Sequence, residues 1–150
     1  MSEHLATIAW SCDGDFIANR YSRAHFWHFD GGAEVTASSS PHVVPLPFSD
    51  PAGVDPEEAL VASAASCHML WFLHIAREAG LVVERYRDAA SGTMGKDERG
   101  QVAMLRIVLR PEIGFAGIAP DEQVLAALHH EAHARCFIAN SLRSEIVVES

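Results

Sequence analysis

The chain has 150 residues, a length that suits one ordinary domain and makes a second full domain unnecessary. Its hydrophobic share of 49% and charged share of 21% are globular values, which exclude disordered, collagenous and low-complexity classes. A net charge of −9 argues against nucleic acid and anionic membranes as partners, and leaves small or neutral molecules as the natural ones.

Residues 5–10 read as a first strand, followed by a turn at Asp13-Gly14-Asp15. Residues 23–29 are aromatic-rich without a helical period, which favours a second strand. Asp30-Gly31-Gly32 turns the chain and residues 33–38 return, the signature of a hairpin. Residues 38–56 hold five of the seven prolines and must be a loop; loops this long are often functional. Asp55-Pro56-Glu57-Glu58 is a strong helix start, with Asp55 as cap, Pro56 at the first helical position and Glu58 completing a capping box. The helix is expected to run to about Ala79, with Gly80 as its terminator.

The middle of that helix, residues 59–73, is apolar nearly all round. Fifteen residues containing Ser63, Ser66 and His68 fall short of the roughly 18 that suggest a membrane span. Such a helix needs cover on most sides, and a second subunit is a natural cover. Residues 81–94 and 101–110 read as two strands around a turn at residues 95–100. The second alternates, with Ala103, Leu105, Ile107 and Leu109 on one face. Residues 111–120 read as a loop, residues 121–135 as a second helix and residues 146–149 as a closing strand. No repeat or linker divides the chain. The expectation is a single α+β domain over residues 1–150 with antiparallel pairing.

Three cysteines are too few for a disulfide scaffold and leave one unpaired. The first residues lack the pattern of a signal peptide, so the expected setting is reducing and cytoplasmic. Cys67 shares a helical face with Leu60, Ala64, Trp71 and His74, and Cys136 lines up with Leu125, His129 and Ala132. A buried cysteine is usually a small hydrophobe. One on each core helix changes the odds: if the sulfurs meet, a reversible disulfide becomes possible. Cys12 sits in a turn beside Asp13 and Asp15, whose charges disfavour a thiolate, and is expected to be dispensable. His129, His133 and Cys136 have a spacing that could ligate a metal, but ordinary core or surface histidine is the better reading, and no metal or cofactor is expected. The H-E-x-x-H, G-x-S-x-G and dinucleotide-binding patterns do not occur in the sequence.

The Asp55–Leu60 segment leading to Cys67, together with Ala132-His133-Ala134-Arg135-Cys136-Phe137-Ile138-Ala139-Asn140-Ser141, resembles the OsmC/Ohr family of osmotically inducible and organic hydroperoxide resistance proteins. The resemblance runs from the Asp30-Gly31 turn to the final strand. Ser66-Cys67-His68 and Cys136-Phe137-Ile138 depart from the organic hydroperoxide resistance pattern, so the chain looks closer to the broader OsmC-like branch. The resemblance implies an intertwined homodimer, with antiparallel sheets wrapped around long central helices in two layers.

It also implies a thiol-dependent peroxidase. Cys67 matches the peroxidatic cysteine, Cys136 the resolving one and Glu57 the motif glutamate. Arg23 is the first choice for the catalytic arginine and Arg20 the alternative. The implied substrate is an organic hydroperoxide, suited by Trp71, Phe72 and Phe137, and the implied reductant is an external dithiol, a dihydrolipoyl group in relatives. Ten residues put Glu57 about 15 Å from Cys67 along the helix and about 80° around it, so the Glu57 that serves Cys67 is expected from a partner subunit. The rival reading is a non-enzymatic dimer that binds an apolar ligand or a metal in the same pocket.

Overall fold

The structure is a computed structural model describing residues 1–149, which form two compact units, one over Met1–Ala59 and the other from Leu60 onward. In the first unit, β1 (Ala6–Ala9) is followed by the two-residue strands β2 (Gly14–Asp15) and β3 (Arg20–Tyr21), then β4 (His25–Phe29) and β5 (Glu34–Ala37). The order β1-β4-β5 makes an antiparallel sheet, with Ile8 opposite Trp27 and Trp27 opposite Val35. The segment expected as a turn at residues 13–15 instead contributes β2, which pairs with β3 as a tight hairpin. Gly14 is required there: its φ is +119°, and a β-carbon would collide with the Arg20 carbonyl oxygen.

The proline-rich loop is ordered. Ala37 and Val54 form a parallel bridge, and the Ser38 hydroxyl accepts from the Asp50 amide at 2.9 Å. Ser38, Ser40 and Asp55 are buried and each accepts from a backbone amide, so short polar side chains hold the loop where apolar ones would hold a strand. The loop ends at α1 (Pro56–Glu78), which begins in the first unit and continues into the second. Asp55 caps it as expected, accepting from the Glu58 amide at 2.8 Å. Gly80, at φ +78°, ends it as expected: Leu81 donates to the Ala76 carbonyl at 2.9 Å and Gly80 to the Arg77 carbonyl at 3.0 Å, a Schellman closure.

With 23 residues and a mean hydropathy of 1.5 over its most apolar window, α1 is long and apolar enough by composition to cross a membrane. One row of it packs inward, and 28% of that window is buried within the chain. Ala64, His68, Phe72, Ile75 and Ala76 are buried, and a buried histidine in that row requires protein partners.

The second unit continues with β6 (Val83–Asp88), β7 (Ser91–Lys96), β8 (Val102–Leu109), β9 (Pro111–Phe115), α2 (Glu122–Arg135), α3 (Phe137–Ser141) and β10 (Glu145–Val148). Several features differ from the sequence reading. The stretch 81–94 is two strands in different sheets: β6 pairs with β9, and β7 with β8. The expected loop after Pro111 is therefore partly strand β9, because a proline is tolerated at the first position of a strand. In addition, β10 runs parallel to β8, so pairing in the order β10-β8-β7 is mixed.

The alternation of β8 also breaks. Its register against β7 shifts between Thr93 and Met94, which leaves Leu105 as the extra residue. A bulge reverses the inward phase, so Met104 joins Ile107 and Leu109 in one cluster while Leu105 is exposed. The second cluster joins Phe72, Ile75 and Ala76 of α1 to Leu128 and Ala132 of α2. Replacing Asp55 with alanine removes the α1 cap and is expected to cost about 1 kcal/mol in denaturant unfolding. An unchanged midpoint would show that the loop, and not the cap, starts the helix.

Candidate functional site

The two helix-borne cysteines belong to one local arrangement in the second unit. Both are free thiols; Cys67 is half-buried and Cys136 is buried. Cys136 is a junction residue: it closes α2 and caps α3, its Sγ accepting from the Ala139 amide at 3.4 Å. Burial pushes its thiol above the ordinary range, and the neighbouring Cys67 side chain adds to the effect. The Ala139 hydrogen bond works the other way, because it favours the thiolate. α3 was not expected from the sequence. Its five residues turn the chain directly after Cys136 and bring Phe137 to Trp71 of α1, edge to face at 5.4 Å.

Cys67 opens on a cleft of about 300 Å3, bounded by Leu70, Trp71, His74 and Phe137. The lining is apolar apart from the His74 ring and the thiol. Arg135 contacts one of the cleft's walls, its guanidinium 5.7 Å from the centre of the Trp71 ring and tied to Glu131 at 2.7 Å. A molecule with a hydrocarbon body and a reactive polar end suits such a cleft.

Below the thiols lies a feature the sequence reading missed. His68 Nε2 and His129 Nδ1 are 3.0 Å apart, and the rings lie edge to edge and nearly coplanar, with an interplanar angle of 12°. One imidazole donates and the other accepts, so the contact requires both to be neutral or to share one proton. Burial depresses both, His68 to about 4, with His129 and His133 as secondary causes for His68. The His68 Nδ1 atom is buried without a partner. The available signal was its place in the row Ala64, His68, Phe72 and Ile75, where a buried polar ring must find company.

His129 therefore turns toward α1, while His133 is exposed on a groove with His130 and Glu122. Among the described residues no three His, Cys, Asp or Glu side chains come together to hold a metal ion, so the His129–His133–Cys136 set considered from the sequence does not assemble. Cys12 is exposed, its thiol donating to the Gly14 carbonyl at 3.6 Å.

In the first unit Arg23 lines another mostly apolar cleft, of about 360 Å3, with Ile8, Trp10, Phe16, Tyr21 and Pro56. Its guanidinium lies over the Tyr21 ring at 3.7 Å. Arg20, the alternative, is exposed on β3. Glu57 is half-buried in the first turn of α1, one residue past the Pro56 that closes the Arg23 cleft.

The family model for OsmC-like proteins matches residues 49–150, a span that includes both helix-borne cysteines, and the chain belongs to that family. It is 51% identical to an OsmC-like protein of unknown function from Vibrio cholerae, over 99% of each chain, with a TM-score of 0.96. An organic hydroperoxide resistance protein from Elizabethkingia anophelis, with thiocyanate bound, shares the fold at 17% identity; 100% of this chain and 97% of that one align, at a TM-score of 0.70. The organic hydroperoxide resistance protein OhrB of Bacillus subtilis does so at 18% identity over 97% and 95% of the two chains, at a TM-score of 0.63. No curated protein matches the chain.

The buried imidazole pair carries a pH prediction. A histidine whose folded value drops from 6.5 to about 4 binds protons more tightly when unfolded. Stability is then fully present above pH 6.5 and lost as pH falls through that window, by about 3 kcal/mol at most. Unfolding at pH 6.5 and at pH 4 is expected to show this loss in the native chain. It should be much smaller in the double variant His68→Phe/His129→Leu. Equal acid sensitivity in the two proteins would remove the pair from the account.

Proposed function

We propose that the chain is a thiol-dependent peroxidase that reduces organic hydroperoxides to alcohols, with Cys67 and Cys136 as its redox couple. The observation that supports it best is the meeting of two free thiols, one open to an apolar cleft and one buried behind it. The organic hydroperoxide resistance proteins that share the fold support the same reading.

The cleft-facing Cys67 thiolate attacks the outer oxygen of the hydroperoxide. The O–O bond breaks, the alkoxide takes a proton and leaves as the alcohol, and Cys67 becomes a sulfenic acid. Cys136 then attacks the Cys67 sulfur. An S–S bond forms, the S–O bond breaks, and the hydroxyl leaves as water with the Cys136 proton. An external dithiol, of the dihydrolipoyl class, restores both thiols by exchange and becomes a disulfide itself. Burial suits Cys136 to the second role, because a thiol held neutral does not compete for the peroxide. Arg23 is assigned as the cation that favours the Cys67 thiolate, and Glu57 as the carboxylate that orients it. Both roles rest on the family resemblance.

The working unit we propose is a homodimer in the cytoplasm, with Glu57 supplied across the subunit boundary. Exposed apolar side chains support a second copy: Leu70 on α1 is 60% exposed, Ile8 in β1 60% and Phe137 at the cleft 69%. A reducing compartment suits three cysteines that stand as free thiols.

Titration with an alkyl hydroperoxide, counting free thiols, tests the core of this reading. The expected result is a fall from three to one per chain. Cys67→Ser is expected to abolish peroxide consumption, while Cys136→Ser completes one turnover and stops. Cys12→Ser should stay within about a factor of two of the native rate, since no transition-state contact is expected there. Sustained turnover by Cys67→Ser would sink the mechanism. Unchanged thiols with ligand bound would favour a binding protein.

A further inference from the structure

The hairpin formed by β2 and β3 does more than turn the chain. Asn19, its last turn residue, has φ 58°, the left-handed region that non-glycine residues seldom occupy. Glycine is the natural residue there, and asparagine is the common exception because its side chain is short and polar. The turn is closed by the Asn19 amide, which donates to the Phe16 carbonyl at 3.1 Å, and by the Ala18 amide, which donates to Asp15 Oδ1 at 3.1 Å. Neither bond uses the Asn19 side chain, so the turn itself does not need the amide group.

That amide is spent on Arg23. The guanidinium donates one hydrogen bond to Asn19 Oδ1 at 2.5 Å and another to the Tyr21 carbonyl at 2.6 Å, and its carbon lies 3.7 Å from the centre of the Tyr21 ring. The backbone of Arg23 is fixed independently. Its amide donates to the Phe48 carbonyl at 3.0 Å, and its carbonyl accepts from His25 Nδ1 at 2.7 Å. His25 Nε2 in turn accepts from Trp27 Nε1 at 3.0 Å, which fixes the imidazole as the neutral Nδ1–H tautomer. Among the described residues no carboxylate comes within 4.0 Å of the Arg23 guanidinium. Both acceptors are neutral, so the side chain is aimed without its charge being offset by an ion pair.

We infer that Asn19 is a positioning residue for Arg23: a left-handed turn holds its side-chain oxygen so that the guanidinium is pinned in one orientation at the rim of the apolar cleft, by neutral acceptors that leave its positive charge free to act on an anion. This deepens the proposed function and rests on the assignment of Arg23 as the cation that favours the Cys67 thiolate.

Asn19→Gly is the clean test, because glycine accepts the left-handed turn more readily than asparagine while removing the oxygen. Three readouts are taken on the full-length protein: thermal unfolding, kcat/KM for an alkyl hydroperoxide, and the pH midpoint for alkylation of Cys67 by iodoacetamide in a Cys12→Ser/Cys136→Ser background. Arg23→Gln is the reference. The expected result has Arg23→Gln raising the alkylation midpoint and lowering kcat/KM. Asn19→Gly should move both in the same direction, by about tenfold in kcat/KM, with unfolding unchanged or improved. Asn19→Asp, which keeps the acceptor but pairs the guanidinium with a carboxylate, should also raise the midpoint, because the charge is then offset. A native midpoint in Asn19→Gly beside a shifted one in Arg23→Gln would overturn the positioning role alone. A native midpoint in Arg23→Gln would overturn the assignment of Arg23, and the inference with it.

Discussion

The hydrogen bond between His68 and His129 sets the register of the second unit's two long helices. Apolar side chains alone hold helices together but permit small rotations and slides, because dispersion is non-directional and many packings are close in energy. A buried imidazole pair is directional. At 3.0 Å, with the rings edge to edge and nearly coplanar, it tolerates little error in rotation or rise. Cys67 precedes His68 on α1, and Cys136 follows His129 by seven residues on α2, so fixing one pair constrains the other. Phe72 packs on His129 with ring centres 4.5 Å apart, and Ala132 beneath it leaves room for that approach. The desolvation cost of two buried polar rings is borne by the apolar cluster around them.

From that constraint the thiol environments follow. α3 begins immediately after Cys136, so the sulfur is shut in while the backbone amide of Ala139 points at it. Phe137 is thrown outward to meet Trp71 and forms the wall of the cleft from which Cys67 is reached. One turn of chain thus produces an accessible thiol and a sequestered one side by side. This is the asymmetry that a two-step oxidation requires, since only one sulfur should meet the oxidant first.

Much of this was legible in the sequence, and the misses have physical causes. Asp55 and Gly80 mark the ends of α1 because capping and left-handed termination are local chemistry. The faces carrying Cys67 and Cys136 follow from helical spacing. The imidazole pair does not, because its partners are 61 residues apart and only tertiary packing joins them. Strand β9 was hidden by Pro111 and Gly114, both of which normally argue for a loop. The bulge at Leu105 was hidden by an alternation that looked regular, since a bulge changes which side faces inward without changing residue types. The ordered Ser38–Asp50 contact inside the proline-rich loop follows the same rule: the composition announces a loop, and long-range hydrogen bonds decide its path.

The proposed peroxidase cycle requires Cys67 and Cys136 to form one bond under oxidation. Peptide mapping by mass spectrometry, after one equivalent of an alkyl hydroperoxide and rapid blocking of free thiols, measures it directly. The predicted product is an intrachain Cys67–Cys136 disulfide with Cys12 recovered blocked. A disulfide through Cys12, or Cys67 and Cys136 both recovered as blocked thiols while peroxide is consumed, would contradict it.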